Sequence, residues 1–489
     1  MADDDNFVDP ILAVAAADGE RPAIERDGGV WSYRELARRM AAFASGLAVH
    51  GCGRGGVVAL VLGDPVDGLV GFLGALLGGA VPVQLDPADP AGERARLAAL
   101  AGAGRVVTEL GDGPSAAAVV AAGAGAEAAA MRAPGGNRPA QINLSSGSTG
   151  LRKAAPLSHA QQIQRSRQTI AALGQGPSDR HLPLVPIHFA YGRQAAVRTL
   201  LAGGTVVAVA LPADAGGFLD LLRARRITHL EATPSHLRYL LERVPDATGP
   251  AMPTLRCLSV STAMLGPAER LAVRRKLTPN LHVTYGSNEM GVVACARPAD
   301  LDHDPATVGR PLPGCEVRIT DEAGNPLPAG RTGEVRVRTA NAAGAYLGDP
   351  EASGRSFRDG WFLTGDAGRF DAAGCLFLAG RLDDRINFGG IKIYPAEIED
   401  VLRTVAGIAD AAVVGMPSPR YQEVPVAAVE SAGPVDYPAL FAHCRARLAA
   451  DRMPRTVLRI EALPRTGNGK VDRPALRRLL ARRLPRAPA

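Results

Sequence analysis

Lysine is nearly absent from this chain of 489 residues: of 55 basic side chains, only Lys153, Lys276, Lys392 and Lys470 are lysine. Arginine does the ordinary surface work. Three of the four lysines lie in or beside glycine-rich segments, Ser145-Ser-Gly-Ser-Thr-Gly-Leu-Arg-Lys153, Gly389-Gly-Ile-Lys392 and Gly467-Asn-Gly-Lys470. A compact, flexible ammonium differs from a planar guanidinium fork, so these places either need one or mark accidental survivors of compositional drift. Aromatics make up 4% of the chain, and no basic tract is interleaved with them. That leaves no stacking platform for bases and argues against a nucleic-acid partner. The six cysteines, at 52, 257, 295, 315, 375 and 444, lack metal-ligand spacing and build no disulfide framework in a chain of this length; a reducing, cytoplasmic setting is expected. The longest apolar stretch, Leu69 to Val83, is rich in glycine and broken by Pro82, too short to span a bilayer. The acidic start, Met-Ala-Asp-Asp-Asp-Asn, is the opposite of a signal peptide. No membrane partner is expected.

What remains is ordinary globular material, 46% hydrophobic and 21% charged with a net charge of +6, long enough for two or three domains. Ser32 is placed to cap a helix running through Leu36, Met40, Phe43 and Leu47. Strands at Val57–Leu62, Ala80–Leu85 and Arg105–Thr108 alternate with helices such as Gly71–Leu77. The Ala/Gly run from Ala116 to Ala130 reads as helix plus loop. Alternation resumes at Thr205–Val209, Ile227–Leu230, Leu258–Val260 and Leu281–Thr284. This predicts an α/β fold: a large multi-sheet N-terminal domain with layered α/β subdomains. From about Glu316, short strands between Gly, Pro and Asp turns predict a β-rich part, and after Asp383 comes a small α+β domain with helices from Pro395, near Tyr437 and from Arg473. The expected domains are 1–382 and 383–489.

Ser145, Ser146, Gly147, Ser148, Thr149 and Gly150 offer many backbone N–H donors and several hydroxyls, with Lys153 just beyond. Such a segment can wrap polyphosphate oxygens, yet it lacks the spacing of a Walker A loop. A dinucleotide-binding Gly-x-Gly-x-x-Gly is also missing, because Gly-Asp-Pro follows the Val57–Leu62 strand.

With Tyr285-Gly-Ser-Asn-Glu289, Gly360-Trp-Phe-Leu-Thr-Gly-Asp366 and Pro464-Arg-Thr-Gly-Asn-Gly-Lys470 following in order, the chain resembles the adenylate-forming superfamily from about Trp31 to Leu479. That superfamily comprises acyl- and aryl-CoA synthetases, adenylation domains of nonribosomal peptide synthesis, and luciferases. The resemblance implies a phosphate loop at Ser145–Lys153, with Arg152 where the family has proline and Ala154 where it has glycine. It places Tyr285 against adenine, Gly286, Ser287 and Asn288 near the α-phosphate, with Asn288 replacing the customary threonine, and Glu289 on Mg²⁺. Asp366 accepts both ribose hydroxyls, Arg381 gives a second ribose- or phosphate-side contact, and Asp383 is the hinge. Lys470 is the catalytic lysine of a mobile small domain, offsetting repulsion between carboxylate and α-phosphate. Lys392 is either a second phosphate contact or a surface residue near the thiol-transfer arrangement. A non-catalytic relative would be expected to lose Lys470, Glu289 or Asp366, and all three are present.

The resemblance further implies ATP, Mg²⁺ and a thiol acceptor, either CoA or the phosphopantetheine of a carrier protein. No carrier domain follows before the chain ends, so a carrier protein is expected in trans, and the enzyme as monomer or homodimer. For the small-molecule carboxylic acid, the implied pocket residues are His188, Phe189, Glu231, Ser261, Thr262, Ala263 and Gly291. Phe189 stands where amino-acid-activating domains place an aspartate, which favours a non-amino acid. Ser261-Thr262 replace a common Gly-Gly pair and favour an aryl or short-to-medium acyl acid. Glu231 keeps open an amine away from the α-carbon, if it faces the pocket.

Overall fold

The computed structural model describes residues 4–111, 113–145, 152–245, 249–466 and 470–484. Ser32 does cap the helix Tyr33–Val49, accepting the Glu35 N–H. The buried face of that helix (Leu36, Met40, Phe43, Leu47) packs on the helix Pro65–Gly78. Val57–Val61 lies between Val81–Gln84 and Arg105–Thr108 in a three-stranded parallel sheet. The Ala/Gly run forms two short helices, Ala116–Ala122 and Ala128–Met131.

A nine-stranded sheet dominates the large domain. Leu281–Ser287, Cys257–Val260, His229–Ala232, Arg180–Pro183, Thr205–Ala208 and Pro22–Arg26 run parallel across it in that order, with antiparallel strands at both margins. Parallel strands buried on both faces need helices above and below; these are supplied by, among others, Ala190–Leu201 and Pro234–Arg243. The chain leaves four neighbouring strands at the same, carboxyl edge, into segments 186–189, 233–236, 261–263 and 285–289. In open α/β sheets ligands bind outside the carboxyl ends of the strands. One topological fact therefore gathers segments up to a hundred residues apart.

The β-rich part is a five-stranded antiparallel sheet built on Trp361–Phe370. A separate five-stranded sheet begins at Ile386–Phe388 and carries its own core, including Ile386, Ile398, Leu402, Val413, Leu440 and Cys444. Fold class agrees with expectation throughout: a large α/β domain of several sheets and a small α+β domain. Most differences are of one to three residues at element ends; the helix expected over Gly71–Leu77 begins six residues earlier, at Pro65, where Asp64 caps it through the Val66 and Asp67 N–H groups. No helix among the described residues is long and apolar enough to cross a membrane.

Candidate active site

Ser146, Gly147, Ser148, Thr149 and Gly150 lie outside the described residues; the two roots of their segment do not. Ser145 N–H donates to the Lys153 carbonyl (2.8 Å) and Lys153 N–H to Ser145 Oγ (3.2 Å), closing the end of an antiparallel pair, Pro139–Leu144 with Ala154–Ser158. Lys153 Nζ sits 4.9 Å from the Tyr346 ring centroid, and the Tyr346 hydroxyl donates to Glu289 Oε1 at 3.0 Å. The lysine of the phosphate segment and the candidate metal carboxylate thus share one tyrosine.

Tyr285 and Gly286 lie near the end of Leu281–Ser287, a central strand of the large sheet. The Tyr285 hydroxyl donates to Asp366 Oδ2 at 2.6 Å. Burial and the adjoining carboxylate push its phenol pKa well up, so it remains a donor. The other oxygen, Asp366 Oδ1, accepts from Arg381 Nη1 at 3.1 Å. Arg381 also reaches the Thr364 carbonyl (2.7 Å) and, by Nη2, Asp383 (3.3 Å). Asp383 itself is exposed. Asn288 donates to the Leu144 carbonyl at 2.7 Å, tying the Tyr285 motif to the strand that feeds Ser145. Glu289 N–H donates to Ser287 Oγ. Beneath them the fully buried Arg165 binds the carbonyls of Asn341 (2.8 Å), Asn288 (3.0 Å) and Glu289, and burial lowers its pKa to about 9.

Lys470 belongs to the small domain. Its backbone is fixed by Thr466 N–H donating to the Lys470 carbonyl (2.8 Å) and by a bridge between Arg465 and Val471. Its ammonium is partly buried and feels the charges of Asp366, Arg381 and Glu289 of the large domain; burial lowers its pKa, reinforced by Arg381 and opposed by the two carboxylates. Lys392 takes the opposite course. Gly389 and Gly390, at φ +56° and +91°, form the two-residue turn of the hairpin Ile386–Phe388/Ile391–Ile393, a backbone favouring glycine at both places. Lys392 is exposed on that hairpin.

On the acid side, His188 and Phe189 pack with ring planes tilted by 56° and centroids 4.3 Å apart, just before the helix Ala190–Leu201. Burial lowers the His188 pKa, partly opposed by Asp86, whose carboxylate lies 3.5 Å from Nε2. Ser261 Oγ donates to the Thr284 carbonyl at 3.0 Å, Ala263 is exposed, and Gly291, at φ +76°, lies over Arg165, whose side chain a Cβ there would meet at 3.1 Å. Thr262 holds φ +77°, and its hydroxyl is buried with no hydrogen-bond partner.

Glu231 departs from the amine-binding role considered for it. It is 2% exposed; Oε1 accepts from Arg198 Nη2 at 3.1 Å and Oε2 lies 2.7 Å from His181 Nε2, too far off the ring N–H axis for a hydrogen bond. Burial alone would raise its pKa, yet His181 and Arg198 outweigh that and hold it down to about 2. Its charge is matched inside the protein.

Asp86, Tyr346 and Arg165 are the participants that sequence reasoning missed. Asp86 follows a strand already recognised, and an Asp-Pro turn after a strand was the available signal. Tyr346 sits in Ala342-Ala-Gly-Ala-Tyr-Leu-Gly, and Arg165 in a polar helical run, where nothing marks burial. As to a metal, the described residues hold no group of three or more His, Cys, Asp or Glu side chains suited to one. A single buried carboxylate, Glu289, fits Mg²⁺ held largely through substrate phosphates.

Residues 12–347 match the AMP-binding enzyme family and residues 397–470 the AMP-binding enzyme C-terminal domain. The chain belongs to this family: it is an adenylate-forming enzyme of the acid–thiol ligase type. Among its relatives, indoleacetate–CoA ligase of Aromatoleum aromaticum is 32% identical over 352 residues, 71% of this chain and 69% of the relative. Feruloyl-CoA synthase of Amycolatopsis sp is 31% identical over 481 residues, covering 93% and 95%. Among solved structures, ATP-bound MatB from Rhodopseudomonas palustris is 28% identical with a TM-score of 0.84, covering 97% of this chain and 99% of that one.

Proposed function

We propose that this enzyme activates an aryl or other cyclic, non-amino carboxylic acid as its acyl-adenylate and transfers the acyl group to free CoA. The observation that carries the chemistry is Lys470 of the small domain, half-buried within electrostatic range of Asp366, Arg381 and Glu289 of the large one. In the adenylation step the acid's carboxylate attacks the α-phosphate of ATP and pyrophosphate leaves. Two anions must approach each other, and the Lys470 ammonium between them stabilises the charge that develops. Asp366, held by Tyr285 and Arg381, accepts the ribose hydroxyls. Lys153 and the hydroxyls and N–H groups of 145–150 take the polyphosphate, and Asn288 lies on the α-phosphate side. Mg²⁺, when bound at Glu289, neutralises phosphate charge.

The two domains divide near residue 383, and Asp383 is the hinge; after its rotation the exposed Gly389–Lys392 hairpin meets the thiol. Curated relatives acting on indoleacetate and ferulate support a cyclic acid, as do Phe189, Ser261 and Thr262 in the pocket segments. A carrier protein in trans is the second acceptor. The second acid reading, an amine-bearing acid, rests on Asp86, since Glu231 is already paired. Acid-dependent exchange of pyrophosphate into ATP, run across aryl, aliphatic, β-amino and α-amino acids and followed by thioester assays with CoA and a phosphopantetheinylated carrier, tests the assignment. Exchange with no carboxylic acid refutes the ligase reading; preference for an α-amino acid refutes the pocket reading.

A further inference from the structure

Asp86, Pro87, Ala88 and Asp89 form a tight turn at the end of the strand Val81–Gln84. Asp89 N–H closes it on the Asp86 carbonyl (3.1 Å), and Asp86 Oδ1 accepts the Ala88 N–H (2.9 Å). Aspartate at the first place and proline at the second suit a type I turn. Arg94 clamps the outside through the carbonyls of Pro87 and Asp89. The two carboxylates of this turn point to different halves of the active site. Asp89 forms a two-point pair with Arg152, 2.9 Å to Nη1 and 3.3 Å to Nη2, and its side chain is only 16% exposed. Asp86 faces His188, and both are similarly shielded.

Arg152 stands next to Lys153, where the family has a proline. Proline would limit the backbone at that root by its own ring; arginine has no such constraint and is fixed here by its partner instead. The same strand grips the acid side a second time. Gln84 Oε1 accepts from the buried Arg193 (3.1 Å), which also binds the Ile187 and His188 carbonyls and Asn143, two residues before Ser145. His188 is electrostatically coupled to Asp86, Arg193, Asp89 and Arg152 together. Acid segment, turn and phosphate-segment root therefore form one connected cluster of partly or fully buried charges.

We propose that the Asp86–Asp89 turn is a positioning element for adenylation, in which Asp89 fixes the Lys153 root through Arg152 while Asp86 sets the orientation of His188. This rests on the ligase reading above, and its two arms are separable from it. Replacing either member of a shielded, two-point charged pair is expected to weaken ATP binding on the order of tenfold. Asp89→Asn and Arg152→Gln each raise the KM for ATP by that amount, leave the KM for the acid within about twofold, and lose no more when combined, because the second substitution removes a bond already broken. Binding of a non-hydrolysable ATP analogue, measured by calorimetry without any acid, shows the same loss. A protein that binds the analogue but exchanges pyrophosphate with no acid refutes the ligase reading and leaves this arm standing. Asp86→Asn raises the KM for every accepted acid several-fold while the KM for ATP is unchanged. The proposal is overturned if the Asp89 and Arg152 losses add in full while both variants melt like the parent, if Asp89→Asn shifts ATP and acid alike, or if Asp86→Asn impairs amine-bearing acids only.

Discussion

Thr262→Gly should make the enzyme more stable, against the usual direction for a substitution to glycine. A threonine at φ +77° is an outlier for a β-branched side chain, and left-handed backbone costs an L-residue about 1–2 kcal/mol. The Thr262 hydroxyl is buried without a partner, a penalty of about 1–3 kcal/mol. Glycine removes both terms. Against it stand about 0.5–1 kcal/mol of extra unfolded-chain entropy and under about 1 kcal/mol for the lost, partly exposed γ-methyl. Taking central values, the balance is a gain of about 2 kcal/mol, seen as a rise of a few degrees in the melting temperature. Thr262→Ala separates the terms: it removes the orphan hydroxyl but keeps a Cβ at positive φ, so it should melt between threonine and glycine. In pyrophosphate exchange the glycine variant should also lower the KM of acids bulkier than the preferred one, because Thr262 borders the acid segment. If Thr262→Gly melts below the parent, or no higher than Thr262→Ala, the strain argument is wrong.

Lys470→Ala should reduce adenylation by on the order of 10² or more while thioester formation from supplied adenylate persists; unchanged adenylation would remove Lys470 from the mechanism. Glu231→Gln leaves Arg198 without its charged partner and should cost about 3 kcal/mol in denaturant unfolding, with the acid KM unmoved; a KM effect confined to amine-bearing acids would return Glu231 to the pocket. Tyr346→Phe removes the donor to Glu289 and should raise the Mg²⁺ concentration needed for half-maximal exchange by a few-fold, read by titrating Mg²⁺ at fixed ATP. Asp400 lies against the large domain, 3.1 Å from where a Cβ on Gly266 would stand. Its burial, with Glu399 and Glu269 nearby and Arg403 and Arg270 opposing, raises its pKa to about 6. The native state then binds the extra proton, so between about pH 4 and pH 6 this group's contribution to stability falls as pH rises, opposite in sign to that of the buried His159, whose pKa burial lowers to about 4. In melting curves Asp400→Asn should remove the falling contribution, so that stability rises more steeply with pH across this window than in the parent. Below this window Asp410, held down to about 2 by Arg403, Arg238 and Arg465 against its burial, contributes with the opposite sign to Asp400, because it loses its pairs on protonation.

The strands and helices were legible because their signals are local. Ser32 caps where a Ser-x-x-Glu pattern says it should, and Arg105–Thr108 begins and ends where its β-branched pair suggests. Ordered motifs named the family. The missing part is what the topology brings together. Nothing in the sequence states that Asp86 meets His188 across a hundred residues, or that Tyr346 bridges Lys153 and Glu289. Glu231 was ambiguous for the same reason: its partners, His181 and Arg198, lie on a neighbouring strand and on the helix between 190 and 201. Pairing decided its role, and pairing is tertiary.

The scarcity of lysine acquires a physical meaning from these pairings. Arg165, Arg193 and Arg270 are buried and each bonds several backbone carbonyls at once. Arg403 and Arg473 do the same among carboxylates. These are tasks for a rigid fork that keeps its charge when desolvated. Such a network fixes the walls of the site, but a group that must follow a moving phosphate, or travel with a rotating domain, is poorly served by five donors set in a plane. Lys153 and Lys470 each follow a backbone pairing, Ser145 with Lys153 and Thr466 with Lys470, and each offers a single ammonium, while Lys276 caps the Leu241 carbonyl. Exchanging the cations therefore tests the division directly. Lys470→Arg keeps the charge yet should lose most adenylation, whereas Arg165→Lys keeps the charge yet should loosen Glu289 by leaving carbonyls unbonded. If Lys470→Arg retains full activity, charge alone suffices there and the scarcity of lysine is drift.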